Sequence, residues 1–173
     1  RMTPVLDGLV NDWPTEETRL QVNTYGADAS DQYRINAVYA ANDGSYLYLR
    51  VSTDAGTDLN TSGFNIYFDT DDLFDDGPDG TYDVSAAGFE PADSPERIRS
   101  ELLYQNGALY SQDTGAFNLG QIGSATIVGN AAQTEWEIRI PRNLSHPANH
   151  PRFANQPVFG ADGTHLLIAL SLN

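Results

Sequence analysis

Seven aspartates fall within fifteen residues: Asp69, Asp71, Asp72, Asp75, Asp76, Asp79 and Asp83. Carboxylates at that density repel one another, so a folded segment here needs water or a cation among them. Calcium suits such oxygens, since it takes roughly 6–8 hard ligands from carboxylates, carbonyls and water. Asp69 and Asp71 share one side of an extended chain and can share an ion. Gly77, Pro78 and Gly80 let the segment fold back and present Asp75, Asp76 or Asp79. Asp69, Asp71 and Asp83 adjoin expected strands and are the best positioned. The pattern departs from an EF-hand, because Leu73 stands where the third ligand counted from Asp69 would be. A solvated acidic loop is the alternative.

Aromatic rings are the second chemical resource. Tyr supplies nine of the eighteen aromatic residues. Tyr46, Tyr48, Tyr67 and Tyr104 are expected opposite the buried faces of their strands. Tyr110 and Phe117 belong to a hairpin and the segment after it. Exposed rings can stack on the apolar faces of pyranoses, so Tyr104, Tyr110 and Phe117 are candidate sugar contacts. Arg50, Arg97 and Arg99 could meet an acidic or sulfated glycan. The competing reading has Tyr covering a rim with its hydroxyl in water, and has Arg50, Arg97 and Arg99 in weak surface pairs with the aspartates.

Other chemistries find less support. His146 and His150 have the i, i+4 spacing that ligates zinc on a helix. Pro147 and Pro151 interrupt such a helix. Glu135 and Glu137 alternate with Trp136 and Ile138 and are expected to be solvated, so no carboxyl pair stands out for glycoside cleavage. Asn60-Thr61-Ser62 and Asn143-Leu144-Ser145 match the N-glycosylation pattern.

Composition narrows the classes further. The 173 residues fit one domain, 1–173, with enough chain to bury a core. Nine basic residues, all Arg, face 24 acidic ones, for a formal net charge of −15. That balance argues against nucleic-acid partners and anionic lipid. Cysteine is absent, which removes disulfides, thiolate nucleophiles and Cys-ligated metals. No apolar run is long enough to insert into a membrane. The opening Arg1-Met2-Thr3 leads straight into folded-looking sequence, as expected of a monomeric segment excised from a larger secreted or cell-surface protein.

The elements that must position these residues read as strands. Period-two alternation runs through Tyr46-Leu47-Tyr48-Leu49-Arg50-Val51, Phe64-Asn65-Ile66-Tyr67-Phe68, Trp136-Glu137-Ile138-Arg139-Ile140 and Leu166 to Leu172. Weaker strands are expected at 20–23, 34–40, 82–86, 98–104, 108–111 and 125–128. Asn42-Asp43-Gly44 and Gln105-Asn106-Gly107 read as hairpin turns. A short helical turn is expected over 142–144. The expected fold is all-β: an antiparallel β-sandwich or jelly roll of about nine strands.

Four landmarks occur in order: Leu6-Asp7-Gly8-Leu9-Val10-Asn11-Asp12-Trp13, then Ala41-Asn42-Asp43-Gly44-Ser45-Tyr46-Leu47-Tyr48-Leu49-Arg50-Val51. Phe64-Asn65-Ile66-Tyr67-Phe68-Asp69-Thr70-Asp71 follows, with Gly80-Thr81-Tyr82-Asp83 behind it, and last Thr134-Glu135-Trp136-Glu137-Ile138-Arg139-Ile140-Pro141. This order resembles the family 9-like carbohydrate-binding modules within the wider DOMON-like set of β-sandwiches. The resemblance implies a non-catalytic module that binds polysaccharide or oligosaccharide, often with structural calcium (Ca2+), and targets a covalently linked catalytic domain. Trp13 is expected to plug one end of the sandwich and Trp136 to fill its core. Residues 52–63 carry no aromatic ring, so the pair of tryptophans that clamps sugar in that family has no counterpart there. Haem, which DOMON-like relatives can hold with Met and His, finds only Met2. The alternative function is a structural or cell-surface interaction domain of the same fold without sugar binding.

Overall fold

The computed structural model describes residues 2–13, 19–20, 35–70, 100–112, 119–160 and 166–172. Its strands are β1 (Ile35–Asn42), β2 (Tyr46–Thr53), β3 (Phe64–Asp69), β4 (Leu102–Gln105), β5 (Ala108–Ser111), β6 (Gln121–Ser124), β7 (Thr126–Gly129), β8 (Glu135–Pro141) and β9 (Leu167–Leu172). No helix occurs among the described residues. The strands form two antiparallel sheets, ordered β1-β2-β8-β7 and β6-β5-β4-β3-β9. The chain divides into two compact units, Arg1–Asn60 with Ala125–Arg142 and Thr61–Ser124 with Asn143–Asn173.

In the first unit, register turns alternation into faces. Leu47 lies opposite Ile140, Leu49 opposite Ile138 and Val51 opposite Trp136. These side chains share one face and are all buried. Each such apolar side chain contributes roughly 1.5–3 kcal/mol on burial. Trp136 is buried there as expected, and its Nε1–H donates to the Thr57 carbonyl at 2.9 Å. The opposite face carries Tyr39, Tyr46, Tyr48, Arg50, Glu137 and Arg139 by the same register. Residues 2–13 cover it. Trp13 packs with Tyr48 and Ala41, and Met2, Leu6, Tyr39 and Tyr46 pack around them. Trp13 therefore lies on a sheet face instead of plugging an end.

In the second unit, Ile66 pairs with Tyr104 and Tyr104 with Leu109, while Phe68 pairs with Leu102. These five positions, with Phe64, form an apolar face without exposed surface. The β4–β5 turn is as the sequence suggests. Asn106 and Gly107 take φ of 48° and 78°, the two left-handed positions of a type I′ turn.

One local expectation needs correction. Residues 142–144 form no helical turn. Arg142 N–H donates to the Ser45 carbonyl at 2.8 Å, and Val158 N–H donates to Leu144 O at 3.0 Å. Extended pairing thus satisfies the backbone that a helix would have satisfied. The strand expected at 125–128 is β7, and β6 immediately precedes it. Membership of a sheet changes at Ala125 between them. Of the strand expected at 20–23, Leu20 N–H bonds Val38 O at 2.8 Å, while 21–23 and 82–86 lie outside the described residues.

Candidate functional site

In the second unit, a buried polar cluster gathers at one end of the β3, β4 and β5 strands. Thr70 N–H donates to Glu101 Oε2 at 2.7 Å, and Thr70 Oγ1 lies 3.4 Å from the same oxygen. Glu101 N–H donates to Phe68 O at 3.0 Å although Leu102 is the register partner of Phe68. Two residues thus oppose one, and this bulge lets the Glu101 carboxylate reach past the strand end. Gln112 N–H donates to Glu101 O at 2.9 Å. Arg152 Nη2 stands 3.8 Å from Glu101 Oε1, an ion pair beyond hydrogen-bond range.

His146 and His150 cap this cluster. Their ring centroids are 4.5 Å apart, and Phe153 packs against both. His150 Nε2 lies 2.9 Å from Gln112 O. A carbonyl only accepts, so Nε2 carries the proton. His150 Nδ1 accepts from the Arg152 and Phe153 amides at 3.2 and 3.0 Å. Both nitrogens are thereby used in holding the turn, which closes the pair to zinc. His146 Nδ1 lies 2.8 Å from Ser111 Oγ. Ser111 has no exposed surface, so this pair cannot present a nucleophile to substrate. Among the described residues no three His, Asp or Glu side chains gather to hold a metal.

The expected contact residues separate. Tyr104 has no exposed surface and meets Phe64 edge-on, with centroids 5.9 Å apart, so it cannot stack on a glycan. The error is one of parity: apolar Leu102 and Leu103 left the inward face of β4 undecided. Burial pushes the Tyr104 phenol above its ordinary range. Tyr110 is half-buried and lies opposite Leu103, on the other face from Tyr104. Phe117, Arg97 and Arg99 lie outside the described residues. Asp69 ends β3 and is 6% exposed. Asp71, Asp72, Asp75, Asp76, Asp79 and Asp83 lie outside the described residues.

The first unit carries the residues that sequence reasoning missed. Glu137, expected in water, has no exposed surface. Its Oε2 accepts from the amides of Asp7 and Gly8 at 2.8 and 2.6 Å, and its Oε1 accepts from Trp13 Nε1–H at 2.7 Å. Glu135 is paired as well: Arg50 Nε donates to its Oε2 at 2.8 Å. Arg50 is buried and lies over the Tyr39 ring at 4.3 Å, far from the weak surface pairing expected of it. The available signal was Trp13 itself, whose indole N–H needs an acceptor once buried.

Beside this slot, Asp43 organises the β1–β2 turn. Its Oδ1 accepts from the Ser45 and Tyr46 amides at 2.7 and 2.8 Å. Its Oδ2 accepts from Tyr48 Oη at 2.8 Å and Thr3 Oγ1 at 3.1 Å. The Ser45 amide bond is the largest cause that holds the Asp43 carboxyl at about 2, with the Tyr48, Tyr46 and Thr3 bonds adding to it against partial desolvation. Burial first, then the bond to Asp43, pushes the Tyr48 phenol to about 12. Arg139 lies over the Tyr46 ring at 4.9 Å. The arrangement is an aromatic floor bordered by carboxylate acceptors, with Trp13 seated on it.

Comparison with family models, with curated proteins and with solved structures finds no match to this chain.

Proposed function

We propose that this chain is a β-sandwich carbohydrate-binding module, non-catalytic and stabilised by calcium, that brings a linked extracellular glycan-active enzyme to polysaccharide. The observation that carries the reading is the use made of the four landmark segments. Residues 6–13 dress the tyrosine face, Asn42-Asp43-Gly44 forms the β1–β2 turn, and the Phe64 and Trp136 segments become β3 and β8. All-β architecture supports it. Among the described residues of the expected contact set, Tyr110 is the ring that keeps partial exposure. Asp69, with the acidic run that continues from it, is the calcium candidate. The burial of Tyr104 favours the second reading, a structural or cell-surface interaction domain without sugar binding.

The test is binding of the folded protein to a broad polysaccharide panel in calcium buffer, repeated with chelator. Saturable binding to one glycan class, weakened by Tyr110→Ala, is the expected result. Absence of binding across the panel transfers the assignment to the second reading.

A further inference from the structure

Trp13 is held as a bound ring would be held. It is 4% exposed, packs with Tyr48 and Ala41, and donates its N–H to Glu137. Among the described residues, every hydrogen-bond partner of the Glu137 carboxylate lies within residues 7–13, and none is a cation. Residues 2–13 form no strand of their own. Among the described residues, their polar attachments besides Glu137 are Met2 N–H to Asn42 O at 2.9 Å and Thr3 Oγ1 to Asp43 Oδ2. Beneath them lie Tyr39, Tyr46 and Tyr48, with the Glu137 and Asp43 carboxylates beside the rings.

That combination is what a sugar ring requires. An aromatic surface takes the apolar C–H face of a pyranose, and carboxylates accept its hydroxyl protons. We propose that residues 2–13 are a strap whose Trp13 stands in for a sugar ring, closing a glycan subsite on the four-stranded sheet. The inference rests on the carbohydrate-binding reading and adds regulation to it. A glycan competes with the indole for one floor and one acceptor, and its apparent affinity is lowered by the small fraction of molecules in which the strap is open.

Two substitutions open the strap from different sides in the full chain. Trp13→Ala empties the slot and leaves Tyr48 and Glu137 in place. Gly8→Val pries the strap away, because a Cβ there would lie 2.9 Å from Asn130 N and the backbone φ is 75°. The probes are cellohexaose, xylohexaose and mannohexaose by calorimetry, with amide exchange reporting the strap and the sheet separately. Both variants are expected to bind at least one probe about tenfold more tightly than the parent chain, as removal of a closed state predicts. Exchange at Asp7 and residue 8 should accelerate while β2 and β8 stay protected. Adding Glu137→Gln to Trp13→Ala should remove the gain. Unchanged affinity in a variant whose strap exchanges freely overturns the proposal. So does loss of protection in β2 and β8 together with the strap, which makes residues 2–13 part of the sheet's own fold. If the parent chain binds glycan and the open variants gain nothing, only this inference falls. If neither binds any glycan, the carbohydrate reading falls with it.

Discussion

Glu137 shows how much one side chain can carry. By alternation it belongs on the face away from Ile138, and the register puts it there. Its burial comes from a segment about 130 positions earlier in the chain, Asp7 and Gly8, which donate both amides to it. Glu137→Ala leaves two amides and an indole N–H without an acceptor, and should cost about 1 kcal/mol by urea unfolding, the cost being limited because an open strap hydrates them. Asp43 gives a pH signature on the same face. Its carboxyl ionises near 2 in the folded protein against an ordinary 3.8. The folded value is the lower one, so the stabilisation is present above pH about 4 and is lost as pH falls towards about 2. Asp43→Asn should flatten that window in acid unfolding curves, and carbon NMR of the carboxyl should titrate near 2. Tyr48 works in the other direction, with its phenol raised to about 12. Its contribution is present below pH about 10 and declines as pH climbs towards 12.

At the scale of elements, strands with one polar and one apolar set were readable and short or two-sided ones were not. β2, β3 and β8 follow from alternation, and β5 from the Asn106-Gly107 turn that fixes its partner. β6 escaped notice because Gln121-Ile122-Gly123-Ser124 has a single large apolar residue. Its place is set by packing: a Cβ at Gly123 would lie 2.5 Å from Leu144 Cδ2. Gly129 plays a similar part in β7, where it faces Trp136 across the ladder. A Cβ at Gly129 would lie 2.7 Å from the indole ring. Gly129→Ala should therefore destabilise by about 1–3 kcal/mol, the usual cost of overpacking, with a blue-to-red change in Trp emission as the ring is displaced. Ile138→Ala, on β8 and fully buried, should cost about 2–5 kcal/mol in equilibrium unfolding.

At the scale of the whole molecule, charge and metal dominate the expectations. A net charge of −15 makes the chain repel itself, and added salt should raise the melting temperature. On the proposed function, chelation should lower that temperature, since calcium at a hundredfold excess over its Kd contributes about 2.7 kcal/mol. Asp69→Ala should reproduce the chelated value, and a chelator-insensitive melting curve would remove the metal from the proposal. The sequence by itself determined the all-β class, the alternating faces of β2, β3 and β8, both hairpin turns and the buried role of Trp136. These depend on neighbours in the chain, where a period of two and a turn's backbone angles act locally. Only the tertiary structure decided that Tyr104 points inward, that Arg50 and Glu137 are buried, that His150 secures a turn, and that Trp13 covers the tyrosine face. Those outcomes depend on which distant segment lies over a given face, and alternation assigns a side chain to a face without saying what will cover it.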